Sequence, residues 1–169
     1  MGATFGLVFV LVNAGELPSP WPAVLRVAGV LSYVGLHLAL RAAARRPAPQ
    51  RTSGVRLSRG YGIVVLVEVV ALVGGLLVLA RVLDLPDAGV AWVALVVGLH
   101  FVALAVVWRE PSLHLLGAAL TVCGAAGLAL AATGAGQGAV STVGGVVPGF
   151  VLIAGSCIAT APGRTPQGA

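Results

Sequence analysis

Glu68 and His100 are the residues in this chain best suited to chemistry, because each is an ionisable side chain set inside an apolar run of membrane length. Residues 60–82 hold Glu68 and residues 88–108 hold His100. Arg59 lies nine residues before Glu68, and Arg109 lies nine after His100. At about 1.5 Å of rise per residue, both groups sit roughly 13 Å inside the same face of a bilayer, so the two side chains can meet. An isolated Asp, Arg or Lys at the centre of a span costs at least about 2.5–3.5 kcal/mol, and a carboxylate with an imidazole partner avoids much of a penalty of this kind.

His37 falls at a similar depth, eight residues before Arg45. His37, Glu68 and His100 would then form a belt of titratable groups from three helices. Two imidazoles and a carboxylate are a legitimate transition-metal ligand set and equally a legitimate proton relay. They would also serve as plain interhelical hydrogen bonding, worth about 0.6 kcal/mol on average. Arg26, Tyr33, His37 and Arg41 are spaced by seven, four and four residues, which places them on one helical face. Tyr33 and Tyr61 complete the set of proton or ion pathway candidates.

The elements that must position these groups follow from composition. The chain has 169 residues, 59% hydrophobic and 9% charged, and a mean hydropathy of +1.05. That is too little polar residue to coat a soluble globule. A single integral membrane domain, an all-α bundle of six transmembrane helices, accounts for the pattern. The helices are expected at about 3–17, 23–44, 60–82, 88–108, 113–133 and 139–160. The alternative is five helices plus a short or cleaved N-terminal segment, with Val12-Asn13-Ala14 as a small-residue cleavage site; no Arg or Lys precedes that apolar run.

All ten basic residues are Arg, and Arg45, Arg46, Arg51, Arg56 and Arg59 lie in the one substantial loop, 45–59. This bias orients a membrane protein and does not mark nucleic-acid binding. The loop is expected in the cytoplasm of a bacterial plasma membrane protein, with both termini on the same side. The same Arg residues could contact anionic lipid at about 1 kcal/mol each.

Helix packing has its own signals. Gly117, Thr121, Gly124 and Gly127 permit close approach in the fifth segment, and Gly145 and Gly149 bracket Pro148 in the sixth, predicting tight packing plus a kink. Such faces could also build a homo-oligomer. Cys123 and Cys157 differ by about 10 Å in depth and read as free thiols. Ser156 and Thr160 read as backbone-bonded, and His114 as interfacial. No nucleotide loop, nucleophile elbow, zinc-protease helix or Cys-x-x-Cys pair is present, and no cofactor is implied.

Residues 28–37 and 91–100 match at six of ten positions, both ending in Val-Gly-Leu-His, so the first two segments and the next two could be a duplicated hairpin. The string Tyr61-Gly-Ile-Val-Val-Leu-Val-Glu68, followed by Val97-Gly-Leu-His-Phe101, resembles a loosely defined group of small, functionally uncharacterised bacterial multi-pass membrane proteins. The resemblance covers the third to fifth segments. In that group a Pro often follows the His by three residues, where this chain has Ala103. The group carries no activity to transfer; the resemblance implies only that Glu68 and His100 are signature positions.

Two function classes follow. One is a small transport-type or permease-like protein with Glu68 and His100 in a proton or ion pathway. The other is a non-catalytic membrane partner or assembly factor that uses the Gly-rich faces; an enzyme is the weaker option. The topology has a direct check: reporter fusions at Thr52 and at the C-terminus are expected to read cytoplasmic, and one at Gly136 periplasmic. A C-terminal fusion reading external would mean that one of the six segments does not span.

Overall fold

The computed structural model describes residues 2–44 and 59–160, which form helices joined by short turns with no strand among them; the basic loop with Arg45, Arg46, Arg51 and Arg56, and the tail after Thr160, lie outside the described residues. Helix α1 (Gly2–Asn13) runs into a 3-10 turn, Ala14–Glu16. Then follow α2 (Trp21–Ala44), α3 (Arg59–Arg81), α4 (Gly89–Trp108) and α5 (Pro111–Ala132). The last rod is α6 (Gln137–Ser141), a π-helical turn (Thr142–Val146) and α7 (Val147–Thr160) in unbroken succession. Five of these six rods are long and apolar enough to cross a membrane, and α1 with its 3-10 turn is the shorter sixth.

Three helices, α2, α5 and α6, start two residues upstream of expectation, two of them with a proline in the first turn. Trp21 and Pro22 belong to α2, and Pro111 opens α5. Proline in a first helical turn gives up an N–H that has no intrahelical acceptor, so here it begins a helix instead of delaying one. The α4 rod ends at Arg109, which takes the left-handed conformation at φ 54°.

Glycine decides where the rods touch. A methyl added at Gly124 would collide with the backbone nitrogen of Leu95, and one at Gly117 would lie 2.7 Å from the carbonyl oxygen of Gly98. The α4 and α5 backbones therefore lie against each other. The hydroxyl of Thr121, in the same seam, donates to the Gly117 carbonyl at 2.8 Å. Ala91 of α4 is fully buried where Gly127 of α5 and Gly144 of the π turn converge on it. On the other side, a methyl at Gly149 would lie 2.7 Å from the Gly6 carbonyl oxygen, and one at Gly145 would enter Asn13. Both expected seams are thus occupied by neighbours from the same chain.

The irregularity expected at Pro148 takes the form of the π turn. Proline has no N–H to offer the carbonyl four residues back, and the ladder widens just before it: the Val147 N–H donates to the Thr142 carbonyl, five residues back. Pro148 itself is fully buried.

The two remaining helices are peripheral. α2 leans on α1 and α7, burying Leu36 against Ala3 and Ile153. α3 packs on α4. Along α3, Ile63, Leu66, Val70, Val73 and Leu77 are exposed, as expected of a helix whose outer face looks at lipid. Ser156 bonds the Leu152 carbonyl at 2.9 Å, as read from sequence. Cys123 is a free thiol, and the Cys157 side chain lies outside the described residues.

Gly124→Leu and Gly149→Leu are expected to lower thermal stability in detergent by about 1–3 kcal/mol each, the usual cost of overpacking. Gly62→Leu, with nothing within 4 Å of its added carbon, should leave the unfolding temperature unchanged.

Candidate functional site

The site is built on the seam between α3 and α4, and its spacing is regular on both sides. Tyr61, Glu68 and Gly75 of α3 are seven residues apart, nearly two full turns, so they share one face. Opposite them on α4 stand Trp108, His100 and Trp92, eight residues apart. Tyr61 and Trp108 stack with ring centroids 6.0 Å apart and planes 13° from parallel. At the other end, the Trp92 indole fills the notch that Gly75 leaves and donates to the Ala71 carbonyl at 3.1 Å. Between these aromatic clamps the Glu68 and His100 side chains meet.

His100 Nδ1 lies 3.0 Å from Glu68 Oε2. The ring nitrogen is not aimed along that line well enough for a directed hydrogen bond, so the contact is a close carboxylate–imidazole pair, free to tighten with a small ring rotation. The side chains are 14% and 19% exposed, respectively. What exposure remains opens into a cleft of about 590 Å³. Thr4, Phe5 and Val8 of α1 form one wall. Val97, His100 and Phe101 of α4 form the other together with Glu68, and Leu152 of α7 lies at the base. Among the described residues lining the cleft, Glu68 and His100 are the only ionisable side chains.

Tyr33 reaches the rim indirectly. Its hydroxyl lies 3.2 Å from the Thr4 hydroxyl. Arg26, on the same stripe, donates from Nε to the Leu11 carbonyl at 3.0 Å, holding one of the last carbonyls of α1. Arg26 and Tyr33 of the α2 stripe therefore serve the α1 interface. His37 stays outside the cleft: it is exposed, stacks on Tyr33 at 4.1 Å, and has Nδ1 3.0 Å from its own helix's Tyr33 carbonyl. The three-helix belt does not assemble, and among the described residues no group of three or more His, Cys, Asp or Glu is placed to hold a metal ion. The repeat reading meets a related difficulty: the position matching Glu68 at the offset of 63 is Phe5, which cannot titrate.

The aromatic clamp was missed from sequence, although Tyr61 was singled out. Its signal was present in the seven-residue spacing of Tyr61, Glu68 and Gly75, read against a Trp on either side of His100. Helical periodicity finds such a face only once the partner helix is known.

Because the pair joins two helices, its loss should be non-additive. In a double-mutant cycle of Glu68→Gln and His100→Gln, the coupling in detergent unfolding is expected at about 0.5–1.5 kcal/mol. Additive effects would remove the contact as an energetic unit.

No family model, no curated protein and no solved structure matches this chain.

Proposed function

We propose that this chain is a small transport-type membrane protein in which Glu68 and His100 form the titratable step of a proton or ion pathway. The observation that carries this reading is the 3.0 Å carboxylate–imidazole contact inside two spanning helices, open on one side to the cleft. Ionisable groups in a span are expensive and mark pathways when they face a cavity. With one proton between them the pair has no net charge; with none it leaves an anion at an apolar surface. A cleft with that property holds either a proton or another cation.

Two features of the fold suit such a role. α3 is fixed through one seam, so a modest shift of this rod changes access to the pair without unpacking the glycine seams. The Tyr61–Trp108 stack stands about two turns from the pair, toward the Arg59 and Arg109 end, and closes that end of the seam. The distribution of Arg supports a setting in the bacterial plasma membrane with both termini in the cytoplasm.

A second reading is a non-catalytic membrane partner. The faces available for it are the outer sides of α2 and α3, since the Gly-rich seams are filled from within the chain.

The test is proton movement. Purified protein in proteoliposomes is expected to dissipate an imposed pH gradient, and Glu68→Gln should reduce that rate more than about tenfold while leaving the fold intact, in line with the 10²–10⁴-fold usual for positioned proton-transfer groups. Equal rates in wild type, Glu68→Gln and empty liposomes would sink the pathway and leave the partner reading.

A further inference from the structure

We propose that the cleft binds a monovalent hydrophobic organic cation, which exchanges for the proton held by Glu68 and His100. This rests on the proton-pathway reading and supplies the other participant in the exchange.

Size and lining narrow the ligand first. About 590 Å³ is in the range of cavities that enclose drug-sized molecules. Beyond the ionisable pair, the only side-chain polar group among the described lining residues is the Thr4 hydroxyl. An inorganic cation stripped of its water would need about six oxygen ligands, and the described lining offers only the Glu68 carboxylate and the Thr4 hydroxyl from side chains. The surface fits a ligand whose own exterior is apolar.

The sign of the charge follows from the geometry of the pair. His100 Nδ1 lies 3.0 Å from Glu68 Oε2, so the carboxylate stands beside the imidazole and an anion approaching the pair would be repelled. A cation instead meets the carboxylate and two phenyl rings, Phe5 on the α1 wall and Phe101 on the α4 wall, whose faces attract positive charge. Phe101 stands edge-on to His100 with centroids 5.9 Å apart, next to the charge it would help to balance.

Charge conservation then fixes the coupling. A cation entering beside a singly protonated pair leaves one unit of positive charge in an apolar cleft; releasing that proton to solvent restores neutrality. One cation enters and one proton leaves. Among the described residues, those lining the cleft from the other elements, Gly2, Thr4, Phe5 and Val8 of α1 and Leu152 of α7, carry no titratable side chain, so the proton exchanged is the one held by the pair.

Tetraphenylphosphonium is a suitable probe, with tetraphenylborate as the anion of matched shape. Equilibrium binding to the full chain in detergent should be saturable, at one cation per chain. Affinity should fall by up to about tenfold per unit of acidification where the pair takes up its proton, and one proton should appear per cation bound in weakly buffered solution. Glu68→Gln, verified as folded by thermal unfolding, should lose affinity more than about tenfold, whereas Glu68→Asp should retain binding. Phe101→Ala should weaken it severalfold. The proposal is overturned if folded wild type shows no saturable binding, if Glu68→Gln binds as well as wild type, or if tetraphenylborate binds as tightly. Proton movement in proteoliposomes without phosphonium binding would overturn the ligand class alone. Phosphonium binding with no proton release or movement would overturn the exchange together with the pathway reading.

Discussion

A helix in lipid gains little by burying one aliphatic side chain against another, because the surrounding chains are equally apolar. What it can gain is close contact, and here that contact is made by backbone. Gly98 with Gly117, Leu95 with Gly124, and Gly6 with Gly149 bring main chains together where any side chain on the glycine would intrude. Joined by Gly127 and Gly144 where they converge on Ala91, these seams hold α4, α5, α7 and α1 as one body. Everything else in the molecule hangs from it.

The site is a consequence of that division. α4 belongs to the rigid body through α5, while α3 is attached to α4 by an aromatic stack, an ionisable pair and a tryptophan seated in a glycine notch. α1 belongs to the same body through α7. With α3 and α1 supported from different directions, the space between them is left open, and Glu68, the carboxylate deep inside a described span, borders it. The π turn before Pro148 contributes from behind: it sets Gly144 against Ala91, at the end of α4 opposite the Tyr61–Trp108 stack.

A carboxylate and an imidazole at this depth make a defensible polar unit in hydrocarbon, since each reduces what the other costs. The same pair on a fully packed seam would be structural glue. The cleft makes the difference, because it leaves one side of the pair open where a packed seam would close it. Aromatic groups flank the pair on the seam above and below, and its open side faces α1.

By itself, the sequence determined the number of long apolar helices, the level of Glu68 and His100, and the small-residue faces. Each of these depends on quantities that run along one chain: the length needed to cross hydrocarbon, the distance from an Arg at the interface, and glycine at helical spacing. The contact between Glu68 and His100 was legible for the same reason, since adjacent helices joined by a short turn bring equal depths together. Only the tertiary structure decided azimuth and neighbourhood. It turned His37 away on the peripheral α2, so that equal depth did not become a three-residue site. It also chose Trp92 for Gly75 and left the gap beside Phe5. Depth is fixed by counting residues, whereas the direction a helix faces is fixed by which other backbones can come close to it, and no single stretch of sequence contains both partners.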